Sequence, residues 1–200
     1  MKGNSLIIIP TFNESENIEL IINKILLLND SNDILVVDDN SPDGTSKIVS
    51  DLKKENIDRI FLIVRDNKLG LGSAYKEGFN WALNKNYSYI FEMDADLSHD
   101  PEEIVNLKEL LINSDSDVAI GSRYLDGVSV VNWPLSRIFL SYFANIYVRI
   151  ITGMPIKDAT SGFIGYTNES LSSLNIDNIK FNGYAFQIEM KFKLWKKNFK

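Results

Sequence analysis

Cysteine is absent from the 200 residues, which excludes disulfides and thiolate metal sites and leaves any metal to oxygen ligands. Long apolar runs are absent too. Nothing approaches the roughly 18 to 20 residues of a spanning helix, so a membrane role has to be peripheral or depend on a membrane-anchoring partner. The first apolar stretch covers only residues 6–10, too short for a signal-peptide core and without a cleavage pattern, so a cytoplasmic location is expected. Positive charge is in short supply: 21 Lys and Arg against 27 Asp and Glu give a net charge of -6 and a pI of about 4.9. A nucleic-acid partner, which needs a basic footprint, is therefore not expected. Repeats, low-complexity tracts and proline-rich linkers are also lacking. With 44% hydrophobic residues, the chain reads as one domain spanning 1–200.

What is present alternates. Short β-branched runs at 6–9, 34–37, 60–64, 89–93 and 118–120 stand between longer amphipathic stretches, the pattern of an α/β sheet with parallel pairing. Ile18, Ile21, Ile22 and Ile25 recur at helical spacing, with Asn13 as the expected N-cap. Asp100-Pro101-Glu102-Glu103 marks a second helix start through a capping side chain, an early proline and first-turn acids. From Gly127 through Lys157 there is no acidic residue, although the chain as a whole is acidic. Within it, the apolar stretch 135–151 is broken only by Arg137 and Arg149. This segment, 127–157, is a candidate membrane-interface region; a core-packing helix with two snorkelling arginines is the alternative. The last eleven residues hold five lysines and no acid. They read as an amphipathic helix cut in its middle, so a domain truncated at its carboxyl end is expected.

Several motifs carry chemistry. Asp94 and Asp96 follow a strand directly, at the edge where open α/β sheets bind ligands. Two carboxylates spaced i, i+2 suit one hard divalent cation, Mg2+ or Mn2+, that also takes phosphate oxygens. Asp38 and Asp39 follow another strand and are placed to accept hydrogen bonds from a base or ribose, while Ser41 to Thr45 reads as turn and helix-start chemistry. Pro10-Thr11-Phe12-Asn13-Glu14 puts a proline turn, a ring for base stacking and a carboxylate on the same edge. Arg123, just past a strand, has a planar fork suited to phosphate. The stretches 158–163 and 183–189 offer small, polar and aromatic groups suited to a sugar pocket. Gly70-Leu71-Gly72 lacks the third glycine of a dinucleotide fingerprint, and no G-x-x-x-x-G-K loop occurs, so dehydrogenase and ordinary ATPase readings are poor. A nucleotidyltransferase would need a glycine-rich basic loop where Pro10 to Glu14 stands. The only histidine, His99, is expected to shape the loop beside the acidic motif.

In this order, the motifs P-T-F-N-E, V-D-D-N-S-P-D-G-T, G-L-G-S-A-Y, M-D-A-D-L-S-H, G-S-R-Y, D-A-T-S-G-F and G-Y-A-F-Q-I-E resemble the polyprenol (dolichol) phosphate mannosyltransferases, a branch of the family-2 glycosyltransferases. The resemblance runs from about Ile8 to Glu189. It implies a GT-A fold, with a mostly parallel central sheet flanked by helices. It also implies inverting transfer from GDP-mannose to a polyprenyl phosphate, a divalent metal, and peripheral association with the cytoplasmic face of a membrane. On this match Pro10, Phe12, Glu14, Val37 and Asp39 would line the nucleotide site. Asp94, Ala95 and Asp96 would hold diphosphate and metal, while Arg123 and Arg137 would face the donor or acceptor phosphates; Asp96, Arg123 and Arg137 are the expected catalytic set. Ser98 stands where archaeal relatives often place a glutamine ligand, so a water would complete the metal's shell. The acceptor phosphate needs no protein base, because its second pKa lies near 6. The departure is at the carboxyl end, where relatives usually continue through a further strand to a basic segment. Two alternatives stay open: another donor, such as UDP-glucose, or a polysaccharide acceptor on the same fold, and a nucleotide-sugar-binding subunit without turnover.

Overall fold

A computed structural model describes residues 4–28, 32–124 and 135–200. Six strands form one sheet: β1 (Ser5–Thr11), β2 (Asn32–Asp38), β3 (Ile60–Val64), β4 (Tyr89–Glu92), β5 (Val118–Ile120) and β6 (Ile164–Thr167), in the order β3-β2-β1-β4-β6-β5. The first four run parallel; β6 lies antiparallel between β4 and β5. Thr11 pairs in register with Asp38, and the N–H of Met93 donates to the carbonyl of Ile8 at 3.2 Å. The carboxyl ends of β1, β2 and β4 therefore open on one edge, which is where the ligand crevice of such a sheet belongs.

The runs that form β1, β2 and β4 are buried on both faces because helices cover both. Leu6, Ile8, Leu35, Val37 and Ile90 join a core with α3 (Leu71–Asn84) and α7 (Tyr184–Lys196). Ile7, Ile9, Ile34, Val36 and Phe91 face the other way, toward α1 (Ile18–Leu28), α2 (Thr45–Glu55) and α4 (Glu103–Asn113). Alternate residues of one strand thus serve two layers. An 18-residue helix, α5 (Leu135–Thr152), and a short α6 (Asn168–Ser172) complete the set.

Four expectations need correction. Asn13 does not cap α1; it takes left-handed backbone (φ 62), and the carbonyl of Glu14 receives the N–H groups of Asn17 and Ile18. The strand β6 was not anticipated, since Ile164-Gly165-Tyr166-Thr167 is short and glycine-interrupted. Its Gly165 lets Phe91 approach: a Cβ there would meet the Phe91 ring at 2.6 Å. The amphipathic helix near the carboxyl end does not run to the last residue. The helix α7 ends at Lys196, Asn198 turns with φ 65, and the carbonyl of Lys200 accepts the N–H groups of Asp117 and Val118 at 2.8 and 2.9 Å. Finally, the core-packing alternative for 135–151 holds only along one stripe: Asn145 is buried while Leu135, Phe139, Leu140, Phe143, Tyr147, Ile150 and Ile151 are exposed. No described helix is long and apolar enough to cross a membrane.

The packing of α3 on β1 rests on one small residue. A Cβ on Gly78 would sit 2.6 Å from Cγ2 of the fully buried Ile8. Alanine gains about 1 kcal/mol in helix propensity, whereas overpacking costs about 1–3 kcal/mol. Gly78→Ala should therefore lower the unfolding free energy by about 1 kcal/mol in urea denaturation, against the sign that propensity alone gives.

Candidate active site

The site grows from three strand ends. After β1 the chain turns through Phe12, Asn13 and Glu14; after β2 it turns through Asn40 (φ 56) into Ser41 and Asp43. Asparagine tolerates this left-handed backbone at low cost. The two turns are laced together: the N–H groups of Asn13, Glu14 and Ser15 donate to Ser41 Oγ, Thr45 Oγ1 and Asp43 Oδ2, each at 3.0 Å. Burial raises the pKa of Asp43, but hydrogen bonds from Thr45 and Ser15 outweigh it and hold the carboxyl below its usual range. Turn chemistry for Ser41 to Thr45 is thus what the structure shows.

The acidic pair after β2 divides. Asp38 is fully buried and accepts from Thr11 Oγ1 (2.7 Å), Ser41 N–H (2.9 Å) and Ser41 Oγ (2.6 Å), which occupies it structurally rather than with a ligand. Asp39 turns to the cleft, paired with Arg65, whose Nε donates at 2.5 Å, and with the N–H of Gly70 at 3.3 Å.

A cleft of about 280 Å³ lies between these turns and the end of β4. Pro10, Phe12, Glu14 and Asp39 line one side; Asp94, Ala95 and Asp96 line the other; Lys68 and Gly70 close it. Val37 does not line it, because its side chain points into the α3 core. The Nζ of Lys68 sits 3.7 Å from the centroid of Phe12, a cation–π contact on the ring expected to stack on a base.

Asp94 is the electrostatic centre. Burial pushes its carboxyl up to about 6, the charges of Asp96 and Glu14 push the same way, and a 3.2 Å hydrogen bond from Tyr75 and the charge of Arg123 oppose them. Asp96 is exposed and accepts from the N–H of Ser98 at 3.0 Å. Gly162 abuts Asp94; a Cβ there would lie 3.2 Å from Oδ2. His99 stacks on Phe163 at 4.9 Å, with its pKa lowered by burial, a loop-shaping role. Among the described residues no cluster of three or more Asp, Glu, His or Cys could hold a metal. Any cation here would rest on the two aspartates and draw its other ligands from elsewhere.

Residues 6–174 match the glycosyl transferase family 2 domain, most of the described fold. The chain belongs to glycosyl transferase family 2. It is 43% identical over 189 residues to the polyprenol monophosphomannose synthase of Mycolicibacterium smegmatis, covering 94% of this chain and 71% of that protein. It is 39% identical over 188 residues to the undecaprenyl-phosphate mannosyltransferase of Micrococcus luteus, covering 94% and 76%. Its fold is similar to that of the mannosyltransferase PcManGT from Pyrobaculum calidifontis, with a TM-score of 0.57 and 20% identity over 88% of this chain and 47% of that one. The protein is thus a glycosyltransferase with a GT-A-type fold.

In this glycosyltransferase Arg123 is not an open phosphate fork. Its Nε and NH2 donate to Asp158 at 2.8 and 2.6 Å, NH2 also donates to Thr160 at 2.7 Å, and the residue is 8% exposed. The charge felt at Asp94 comes from a guanidinium committed to the 158–160 turn. Arg137 lies in α5 with its side chain outside the described residues, as is the whole of 125–134. The 183–189 motif is displaced as well: Gln187 is buried and donates to Glu92, and Glu189 accepts the N–H groups of Lys180 and Phe181 and pairs with Lys193.

Behind the site lies a network with no counterpart in the sequence reading. Glu92, the last residue of β4 and two before Asp94, is fully buried and accepts from Tyr166 at 2.7 Å and from Gln187. Lys191 is equally buried, its Nζ donating to the carbonyls of Ala159 and Ser161 at 3.0 and 2.8 Å. Burial raises the pKa of Glu92 and lowers that of Lys191, and each charge opposes the shift of the other. Lys191 thereby fixes the turn that carries Asp158 and Gly162. Arg65, Lys68 and Tyr75 were also missed; the one signal available was that Arg65 and Lys68 stand beyond the end of a strand, just as Arg123 does.

Breaking a buried ion pair by removing one partner costs about 3–5 kcal/mol. Asp158→Asn leaves the guanidinium of Arg123 without its counter-charge, so urea denaturation should show a loss of about 3 kcal/mol. Wild-type stability in that variant would mean that the pair is not the anchor of the 158–162 turn.

Proposed function

We propose that the protein transfers mannose, with inversion, from GDP-mannose to the phosphate of a polyprenyl lipid at a membrane surface. The observation that carries this reading is the convergence of Asp94, Asp96 and Glu14 on one cleft at the carboxyl edge of the sheet, with Asp94 held near the top of the carboxylate range. Such crowding is costly unless positive charge arrives with the ligand. The names of both curated relatives support the acceptor, and the complex of PcManGT with GDP-Man and Mn2+ supports the donor and a divalent ion.

The residues fit a hard cation. Asp94 and Asp96 are oxygen donors, two in number, which suits an ion that keeps water and phosphate in its shell. When bound, it supplies positive charge against the diphosphate leaving group. Phe12, Glu14 and Asp39 would bound the nucleoside end of the cleft, and Lys68 would place its ammonium near donor phosphate. Arg123 acts as a positioning residue: its pair with Asp158 holds the turn whose Gly162 packs on Asp94. Proton removal asks nothing of the protein, since a phosphate acceptor is already anionic near pH 7. Rate enhancement comes from alignment and charge stabilisation in the cleft. The exposed apolar face of α5, in a segment without acids, suits adsorption to an anionic bilayer where such an acceptor resides.

Sugar transfer from radiolabelled GDP-mannose to polyprenyl phosphate is the test, with UDP-glucose as the competing donor. Asp96→Ala and removal of divalent ions by chelation should each lower turnover by about a hundredfold or more. Full turnover in either condition would remove the cation from the mechanism, and preference for UDP-glucose would replace the donor.

A further inference from the structure

A second cavity of about 210 Å³ lies against α5, lined by Tyr124, Tyr142, Asn145, Ile146, Arg149 and Lys157, and it shares no residue with the nucleotide cleft. We infer that Arg149, Lys157 and the hydroxyl of Tyr124 bind the phosphate of a lipid there, an inference that rests on the membrane-surface reading above.

Three observations converge. The hydroxyl of Tyr124 is buried without a hydrogen-bond partner, a condition that buried phenols seldom keep and that a phosphate oxygen relieves. Arg149 and Lys157 are exposed, and among the described residues neither has a side-chain ion pair or hydrogen bond. Among the described residues no carboxylate lines the cavity, and Asp158, next to Lys157 in the chain, is already committed to Arg123 and Asn145. Two cations and one orphan donor around a hollow make a phosphate cradle.

The surroundings select a lipid over a free anion. Tyr142, Ile146 and Arg149 follow one another at helical spacing along the border of α5, between buried Asn145 and the exposed row Phe139, Phe143, Tyr147 and Ile150. A phosphate seated at Arg149 has an apolar path for its chain immediately beside it. The floor of the cavity is wired to the transferase site. Asn145 Oδ1 accepts the N–H of Ala159 at 2.7 Å, and its Nδ2 donates to Thr160 at 3.3 Å, the turn that Arg123 and Lys191 also hold.

Flotation of the full chain with phosphatidylcholine vesicles carrying either polyprenyl phosphate, a monoester, or phosphatidylglycerol, a diester, tests the site. Lys157→Gln should weaken binding about fivefold, and Lys157→Gln with Arg149→Gln about twentyfold. Tyr124→Phe, which keeps the ring, should weaken it about tenfold, with GDP-mannose affinity unchanged in all variants. Preference for the monoester assigns the cavity to the acceptor, and preference for the diester assigns it to the bilayer's own lipid. Unchanged binding of Lys157→Gln and Tyr124→Phe overturns the site, as does an equal loss on pure phosphatidylcholine. Displacement by equimolar inorganic phosphate overturns its assignment to a lipid. Mannose transfer measured in parallel separates the two readings: transfer without Lys157-dependent binding sinks the cavity alone, whereas binding without transfer sinks the reaction and leaves the cavity standing.

Discussion

Carboxylates gathered at the mouth of a parallel sheet repel one another, and the rest of this structure is organised around keeping them there. Asp94 feels burial, Asp96 and Glu14 all opposing its ionisation, with only a phenol and a distant guanidinium in its favour. A free aspartate would swing into water. Tyr75 on one side and the backbone of Gly162 on the other deny it that movement. The strain continues into the next turn, where Leu97 takes left-handed backbone (φ 59) directly after Asp96. For a leucine this costs about 1–2 kcal/mol, and outliers of this kind cluster where a function over-determines the geometry. The conformation lets the N–H of Ser98 reach back to Asp96 and aim its other oxygen.

Holding acids in place requires buried cations, and these are supplied from far along the chain. Arg123 meets Asp158 across 35 residues, and Lys191 reaches the carbonyls of 159 and 161 from α7. Both converge on the same turn. Neither contributes a charge to the cleft surface; each stiffens the wall that a ligand would press against. Ion pairs of this kind add little net stability but are expensive to break, which suits a scaffold whose geometry matters more than its depth of folding.

Much of this fold was legible because its determinants are local. Continuous apolar runs are poorly solvated, so the strand at 34–37 and the register of Ile18, Ile21, Ile22 and Ile25 followed from burial alone. The cleft was legible for a related reason: an acid directly after a buried strand has nowhere to emerge except the carboxyl edge, and Pro10, Phe12, Glu14, Asp39, Asp94 and Asp96 all line it. What failed was everything that depends on a partner distant in sequence. Arg123 after β5 has the same local signature as a phosphate-binding arginine, and only the fold reveals that Asp158 has claimed it. The strand at 89–93 gives no sign that Glu92 has a partner, nor the lysine-rich helix that Lys191 is interior, and Val37 was expected at the nucleotide site; all three are buried.

The segregation of charge along the chain acquires a reason from this arrangement. The cleft gathers Glu14, Asp39, Asp94 and Asp96 against one lining lysine, Lys68, so further basic residues on that edge would compete with an incoming cation. Residues 135–152 of the acid-free segment form α5, which contributes to neither core layer and meets the 158–160 turn through Asn145. At physiological ionic strength charges are screened beyond about 8 Å in solvent, and Arg149, the base of α5 whose side chain is described, is exposed. The polar turn at 158–160 is a hydrogen-bonded link between α5 and the wall behind Asp94, and Lys191 holds it from the other side through the carbonyls of Ala159 and Ser161.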